Sequence, residues 1–268
     1  MKTGIILLAV TGILLSAPGA KAQNRQYAVP GDIETYIDRF ELRASDMNAN
    51  GWAHYYIPRT MGDTLTVKMS CVYTGRQTHT PHVHNEDESF YIVRGPVNFH
   101  INGEERILRT GDFVYTPSGS SHNIQRTNEQ DTIKYLVIKR ETTGHVDRPH
   151  PVSKPGYTFD DCTVLPSPTW TADTTSDAQL TLLDKHFADG FQVVMTRATQ
   201  NGRVFRNYNP RLPGQVAIYI LSGNATVTLD GHHSQIGADN TFYCPKNATY
   251  SLEKAGDEPL VFLTITTE

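Results

Sequence analysis

From about residue 64 onward, apolar and polar positions alternate with a period of two, the pattern of strands with one face buried. The runs cover 64–73, 89–93, 97–101, 105–108, 113–116, 124–127 and 132–139, and Gly, Pro, Asn and Asp separate them. Asn102-Gly103, set between two such runs, predicts a tight hairpin. Ahead of them, residues 33–40 have only weak amphipathic character, and 45–52, rich in Asn, Asp and Gly, read as a loop. Short strands at regular spacing predict an all-β sandwich or barrel.

The pattern then returns. A constant shift of 128 positions carries Gly95 onto Gly223, Gly103 onto Gly231, Tyr115 onto Tyr243 and Pro117 onto Pro245, so that 91–103 lies over 219–231 without a gap. Residues 132–140 fall on 260–268. Self-similarity at a fixed offset is the mark of a duplicated unit. Between the copies, 142–168 holds Pro149, Pro151, Pro155, Pro166 and Pro168 with no sustained periodicity, and reads as a linker. The expected organisation is a leader at 1–22, a first unit at 23–141, a Pro-rich linker at 142–170 and a second unit at 171–268.

The leader is read from Met1-Lys2, the apolar run at 5–15 and Ala20-Lys21-Ala22, which have the layout of a secretory signal peptide. A secreted or periplasmic location is therefore expected, with the mature chain starting near Gln23. The apolar run is shorter than the roughly 20 residues that a spanning helix needs, so no membrane anchor is expected. The chain carries 24 Lys and Arg against 28 Asp and Glu, and losing Lys2 and Lys21 makes it more acidic. With no basic cluster, nucleic acid is not an expected partner. Cys71, Cys162 and Cys244 are an odd number, so at least one is free or pairs between chains; buried thiols are the expectation.

The chemistry concentrates in His82-Val-His84 with Glu88 four residues on, and in His122. In an extended segment His82 and His84 share a face and can reach one ion. Pro81 prevents a helical start, and 85–87 supply a bend that returns Glu88 to the same place. Three imidazoles and a carboxylate suit a first-row divalent ion: Fe, Mn, Ni, Cu or Zn.

These stretches resemble the two motifs of the cupin superfamily. His82, His84, Glu88 and Gly95 fit the first, and Gly111, Pro117, Gly119 and His122 fit the second; Arg126 stands where the second motif usually has Asn. The resemblance implies two tandem cupin (jelly-roll) β-barrels, a bicupin, with one divalent transition metal ion held by His82, His84, Glu88 and His122. The same shift of 128 carries these four to Pro210, Leu212, Val216 and Tyr250, so one ion per chain is expected, in the first unit. His232 and His233 fall off the ligand positions, on a turn.

Open coordination positions suit catalysis. By resemblance to quercetin 2,3-dioxygenase-like cupins, Glu88 is expected to act as ligand and general base, in a dioxygenase taking dioxygen and a small organic substrate, aromatic or enolic. A non-redox lyase, isomerase or hydrolase on the same site, and a binding module without catalysis, remain open alternatives. Strand parity places Phe90, Ile92 and Ile124 around the ion as an apolar lining, with Arg94 a surface residue. The second unit is expected to supply stability and interface, and exposed strand edges allow a homodimer without requiring one.

Overall fold

The computed structural model describes residues 32–57, 64–77, 79–140, 148–149, 158–167, 176–184, 190–206 and 214–267. The leader expected at 1–22, and Pro210 and Leu212, lie outside them. The first half contains β1 (Ile37–Asp38), β2 (Met47–Asn48), β3 (Gly51–Ile57), β4 (Leu65–Val72), β5 (His82–Val83), β6 (Glu88–Arg94) and β7 (Val97–Ile101). It continues with β8 (Glu104–Leu108), β9 (Phe113–Thr116), β10 (His122–Arg126), β11 (Ile133–Arg140), β12 (Arg148–Pro149) and β13 (Thr163–Leu165). The second half contains β14 (Ala178–Leu183), β15 (Phe191–Ala198), β16 (Val204–Arg206), β17 (Val216–Ser222) and β18 (Asn224–Leu229). It ends with β19 (His232–Gly237), β20 (Thr241–Cys244), β21 (Tyr250–Ala255) and β22 (Leu260–Thr267).

Each half is a jelly roll of two facing sheets. The first pairs β13-β9-β6-β11-β4-β3-β2 with β12-β5-β10-β7-β8, and the second pairs β1-β20-β17-β22-β15-β14 with β16-β21-β18-β19. The duplication holds down to register: Glu88 faces Thr116 as Val216 faces Cys244, and Phe90 faces Val114 as Ile218 faces Phe242.

Parity explains why the larger sheets carry nearly continuous buried runs. In β6, Phe90 and Ile92 turn into the first jelly roll with Val97, Phe99, Ile124 and Val137, whereas Tyr91 turns the other way. That other face meets the second half: Trp52, Tyr56, Leu65, Val67, Met69 and Leu136 pack in one cluster with Val193, Met195, Tyr219, Leu263 and Ile265. A sheet covered on both faces loses the polar alternation of a solvated one. Fully burying an aliphatic or aromatic side chain contributes about 1.5–3 kcal/mol. The seam therefore makes the two halves one cooperative body rather than beads on a string.

Two local readings differ from the structure. The 45–52 stretch is not a plain loop: Ala44–Asp46 forms a 3-10 turn, and Met47 and Asn48 pair with Trp52 and Gly51 at the start of β3. Nor is 142–170 only a linker, since Thr163, Val164 and Leu165 pair with Tyr115, Val114 and Phe113, and Arg148 with Val83. The N-terminal arm makes the matching addition to the other half, with Ile37 opposite Phe242 and Asp38 opposite Thr241. Each half thus completes its large sheet with a strand borrowed from a connecting segment. Local patterning carries no information about such distant partners.

The arm is locked by His54. Its Nδ1 lies 2.9 Å from Asp46 Oδ2 and its Nε2 2.9 Å from Asp38 Oδ2, with the ring 1% exposed. Burial works against the imidazolium, but the hydrogen bonds and charges of Asp38 and Asp46 outweigh it and raise the pKa above 6.5. Cys71, Cys162 and Cys244 are all buried and unpaired.

Candidate metal centre

The four predicted residues come together. Antiparallel pairing of β5 with β10 sets His82 directly opposite His122, and the extended backbone brings His84 to the same side. His82, His84 and His122 present ring nitrogens that all lie within 4.8 Å of one another. Glu88, the first residue of β6, adjoins two of them: its Oε2 is 2.8 Å from His122 Nε2 and 3.4 Å from His84 Nε2. His84, His122 and Glu88 are buried, and His82 is half-buried at the opening.

The second motif explains the precision. Gly119 adopts φ +80°, a conformation that costs residues with a Cβ about 1–2 kcal/mol, and its N–H donates to the His84 carbonyl at 2.8 Å. One bond ties the Pro-Gly turn to the His-Val-His segment. Asp87 ties it a second time, accepting from the Ser118 N–H at 2.8 Å and from the Tyr115 hydroxyl at 2.9 Å.

Do these residues fit a cation? His82 Nδ1 lies 3.2 Å from the Thr80 carbonyl and His122 Nδ1 3.0 Å from the Ser120 carbonyl. A carbonyl can only accept, so each Nδ1 carries a proton; each Nε2 is then free to offer a lone pair to a metal or, without one, to take a second proton. These nitrogens converge: His122 Nε2 faces the Glu88 carboxylate, and His82 Nε2 lies 2.9 Å from His84 Nε2. Acceptors this close repel unless a cation or a proton sits between them. The residues therefore fit a divalent ion, with backbone carbonyls orienting the outer ring nitrogens as metal-binding histidines require.

The electrostatics keep the ligands in usable states. Burial, and then the neighbouring His122, His79 and His84, push the His82 pKa down to about 3, so this imidazole stays neutral. Burial opposes ionisation of Glu88, yet its hydrogen bond with His122 and the charges of His84, Lys139 and His122 hold the carboxyl well below the usual range. Lys139 was not singled out in the sequence. Its Nζ lies 3.9 Å from Glu88 Oε1, and it is 7% exposed. The signal was available: Lys139 shares strand parity with Ile133, Tyr135 and Val137, which face the interior. His79 was missed as well; its ring meets that of His82 edge-on at 4.1 Å.

Beneath the ligands the lining is apolar, as parity predicts. Phe90, Ile92 and Ile124 belong to the interior cluster, and Phe90 meets the His122 ring edge-on at 5.5 Å. Lys139 adds a charge that the apolar expectation did not contain. Arg94 is exposed at the far end of β6. In the second half, the Glu88 position holds buried Val216 and the His122 position holds Tyr250, while His232 and His233 are exposed on β19.

The family model of the cupin domain matches residues 69–139 and 210–266, one stretch in each jelly roll. The chain belongs to the cupin superfamily. Among solved structures, this bicupin is similar to the Mn(II)-containing oxalate decarboxylase of Bacillus subtilis, at 18% identity and a TM-score of 0.56 over 83% of this chain and 74% of that one. It is also similar to a variant of salicylate 1,2-dioxygenase from Pseudoaminobacter salicylatoxidans, at 13% identity and a TM-score of 0.56 over 77% of this chain and 71% of that one. At such identities the likeness is one of fold. A shorter match joins 53 residues, 20% of this chain, at 38% identity to an oxalate-binding protein of Thermotoga maritima. It spans 43% of that relative's length.

Proposed function

We infer that this bicupin is an exported metal-dependent dioxygenase acting on a small aromatic or enolic substrate held at the His82, His84, Glu88 and His122 centre. The observation that carries the reading is Glu88, a carboxylate 4% exposed, kept ionised by His122 and Lys139 and placed beside three imidazole nitrogens. A bound transition metal would supply Lewis acidity toward a substrate oxygen and, for a redox-active ion, electron transfer to dioxygen. The chain supplies the rest. Glu88 accepts the proton of an enolic or phenolic hydroxyl, because a carboxylate beside the ion can serve as both ligand and base. Lys139 sets how strongly that proton is held. Phe90 and Ile124 keep water from beneath the centre and offer an apolar surface to a flat ring. The signal-peptide pattern read in the sequence at 1–22 supports export.

A second reading keeps the site and omits redox chemistry: a metal-dependent lyase acting on a small carboxylate. The similarity to an oxalate-binding protein and to oxalate decarboxylase favours it. One experiment separates the readings. Natively purified protein is assayed for metal content, then for oxygen uptake and carbon dioxide release with flavonols, salicylate and oxalate. The dioxygenase reading expects oxygen uptake that Glu88→Gln abolishes. Carbon dioxide release without oxygen uptake supports the lyase, and tight binding of a substrate without turnover leaves a binding module.

A further inference from the structure

At the opposite end of β10 from His122, four residues or roughly 13 Å along the strand, lies a second cleft. Its volume is about 550 Å³, and Tyr73, Arg76, Asn98, Ile107, Arg126 and Glu129 line it. Arg126 is 6% exposed. Its Nε donates to the Asn128 carbonyl at 3.3 Å, and among the described residues no carboxylate lies within ion-pair distance of its guanidinium. A buried cation without a counter-charge is costly.

The duplicate half supplies the control. The shift of 128 carries Arg126 onto Lys254, Asn128 onto Gly256 and Tyr73 onto Asn201. Lys254, 2% exposed, donates to the Gly256 carbonyl and to Asn201 Oδ1 at 2.8 Å. Both halves therefore bury a cation at this point and bond it to the same carbonyl. In the second half Asn201 caps the cation; in the first the cap is replaced by Tyr73, 43% exposed, and Arg126 lines the cleft.

We propose that this cleft is a binding site for a hydroxylated carboxylate of monosaccharide size, a sugar acid, separate from the metal centre. The Arg126 guanidinium matches a carboxylate in two-pronged geometry. Arg76 stands beside it, because the Arg126 N–H donates to the Arg76 carbonyl at 3.0 Å. Glu129 accepts from hydroxyls and disfavours a ligand of several negative charges. Tyr73 and Ile107, which is 51% exposed, offer the apolar surface for the carbon face of a ring.

Calorimetric titration of the full metal-loaded chain with D-galacturonate, neutral D-galactose and inorganic phosphate tests this. Saturable galacturonate binding is expected, at least tenfold tighter than galactose or phosphate. Arg126→Gln should weaken it at least tenfold with metal content unchanged. Tyr73→Asn, which restores the cap of the second half at an exposed position, should weaken it as much. Absence of saturable galacturonate binding, equal binding by wild type and Arg126→Gln, or tighter binding of phosphate would overturn the proposal. If Arg126→Gln does not fold, full galacturonate binding by Tyr73→Asn overturns it.

Discussion

Glu88→Gln keeps the shape of the side chain and removes its charge. The carboxylate faces His122 at 2.8 Å and Lys139 at 3.9 Å from inside the jelly roll. A hydrogen bond to a charged group contributes about 1.5–3 kcal/mol, and removing one member of a buried ion pair costs about 3–5 kcal/mol because the other is left unmatched. The two losses overlap, and the Lys139 contact is long. The metal-free variant should therefore lose about 3 kcal/mol, the low end of the buried-pair range. Urea unfolding of metal-free protein reads this as a lower midpoint at unchanged slope. Lys139→Met alone should also destabilise, while the double variant should recover at least about 1.5 kcal/mol relative to the two single losses combined. Metal titration of the single Glu88 variant should show affinity reduced by more than the 10–100-fold typical of removing a mere supporting partner. An unchanged midpoint, or losses that simply add, would refute the ion-pair reasoning; unchanged metal affinity would refute ligation by Glu88.

The His54 lock should make stability depend on pH in two directions. His54 is raised above 6.5, so its contribution is complete below that pH and fades as pH climbs through the folded value; Asp46 is held below 3.8, so its contribution is present above 3.8 and fades in acid. Thermal unfolding followed across pH should give a maximum between these limits that His54→Gln flattens. Gly119→Ala should cost about 1–2 kcal/mol from the positive φ alone, and because the same N–H holds the His84 carbonyl, it should also weaken metal binding. Native stability with altered metal affinity would mean that the backbone tolerates the turn and only the ligand has moved.

The two-residue alternation placed most of the strands, and the shift of 128 placed the second half, because both are properties of neighbouring or equivalent positions. The four candidate ligands were equally legible: His82 and His84 share a strand face, and a turn that needs Gly119 announces His122. What was not legible depends on partners far away in sequence. The strand at Gly51–Ile57 was missed because its start was absorbed into a polar stretch, and the pairing of Thr163–Leu165 with β9 leaves no local trace. Lys139 was not singled out, and Arg126 was noted only as standing where the second motif usually has Asn. Only the parity of Lys139 with Tyr135 and Val137, and of Arg126 with His122 and Ile124, marks them as inward.

The crossing of the N-terminal arm bears on how the molecule is assembled. Ile37 leaves the ribosome about 200 residues before the strand that receives it, opposite Phe242. The first jelly roll can close around its own interior while the arm still waits for a berth, so its docking must follow synthesis of the second half. Cutting the gene at the connecting segment would strand this arm on the wrong fragment.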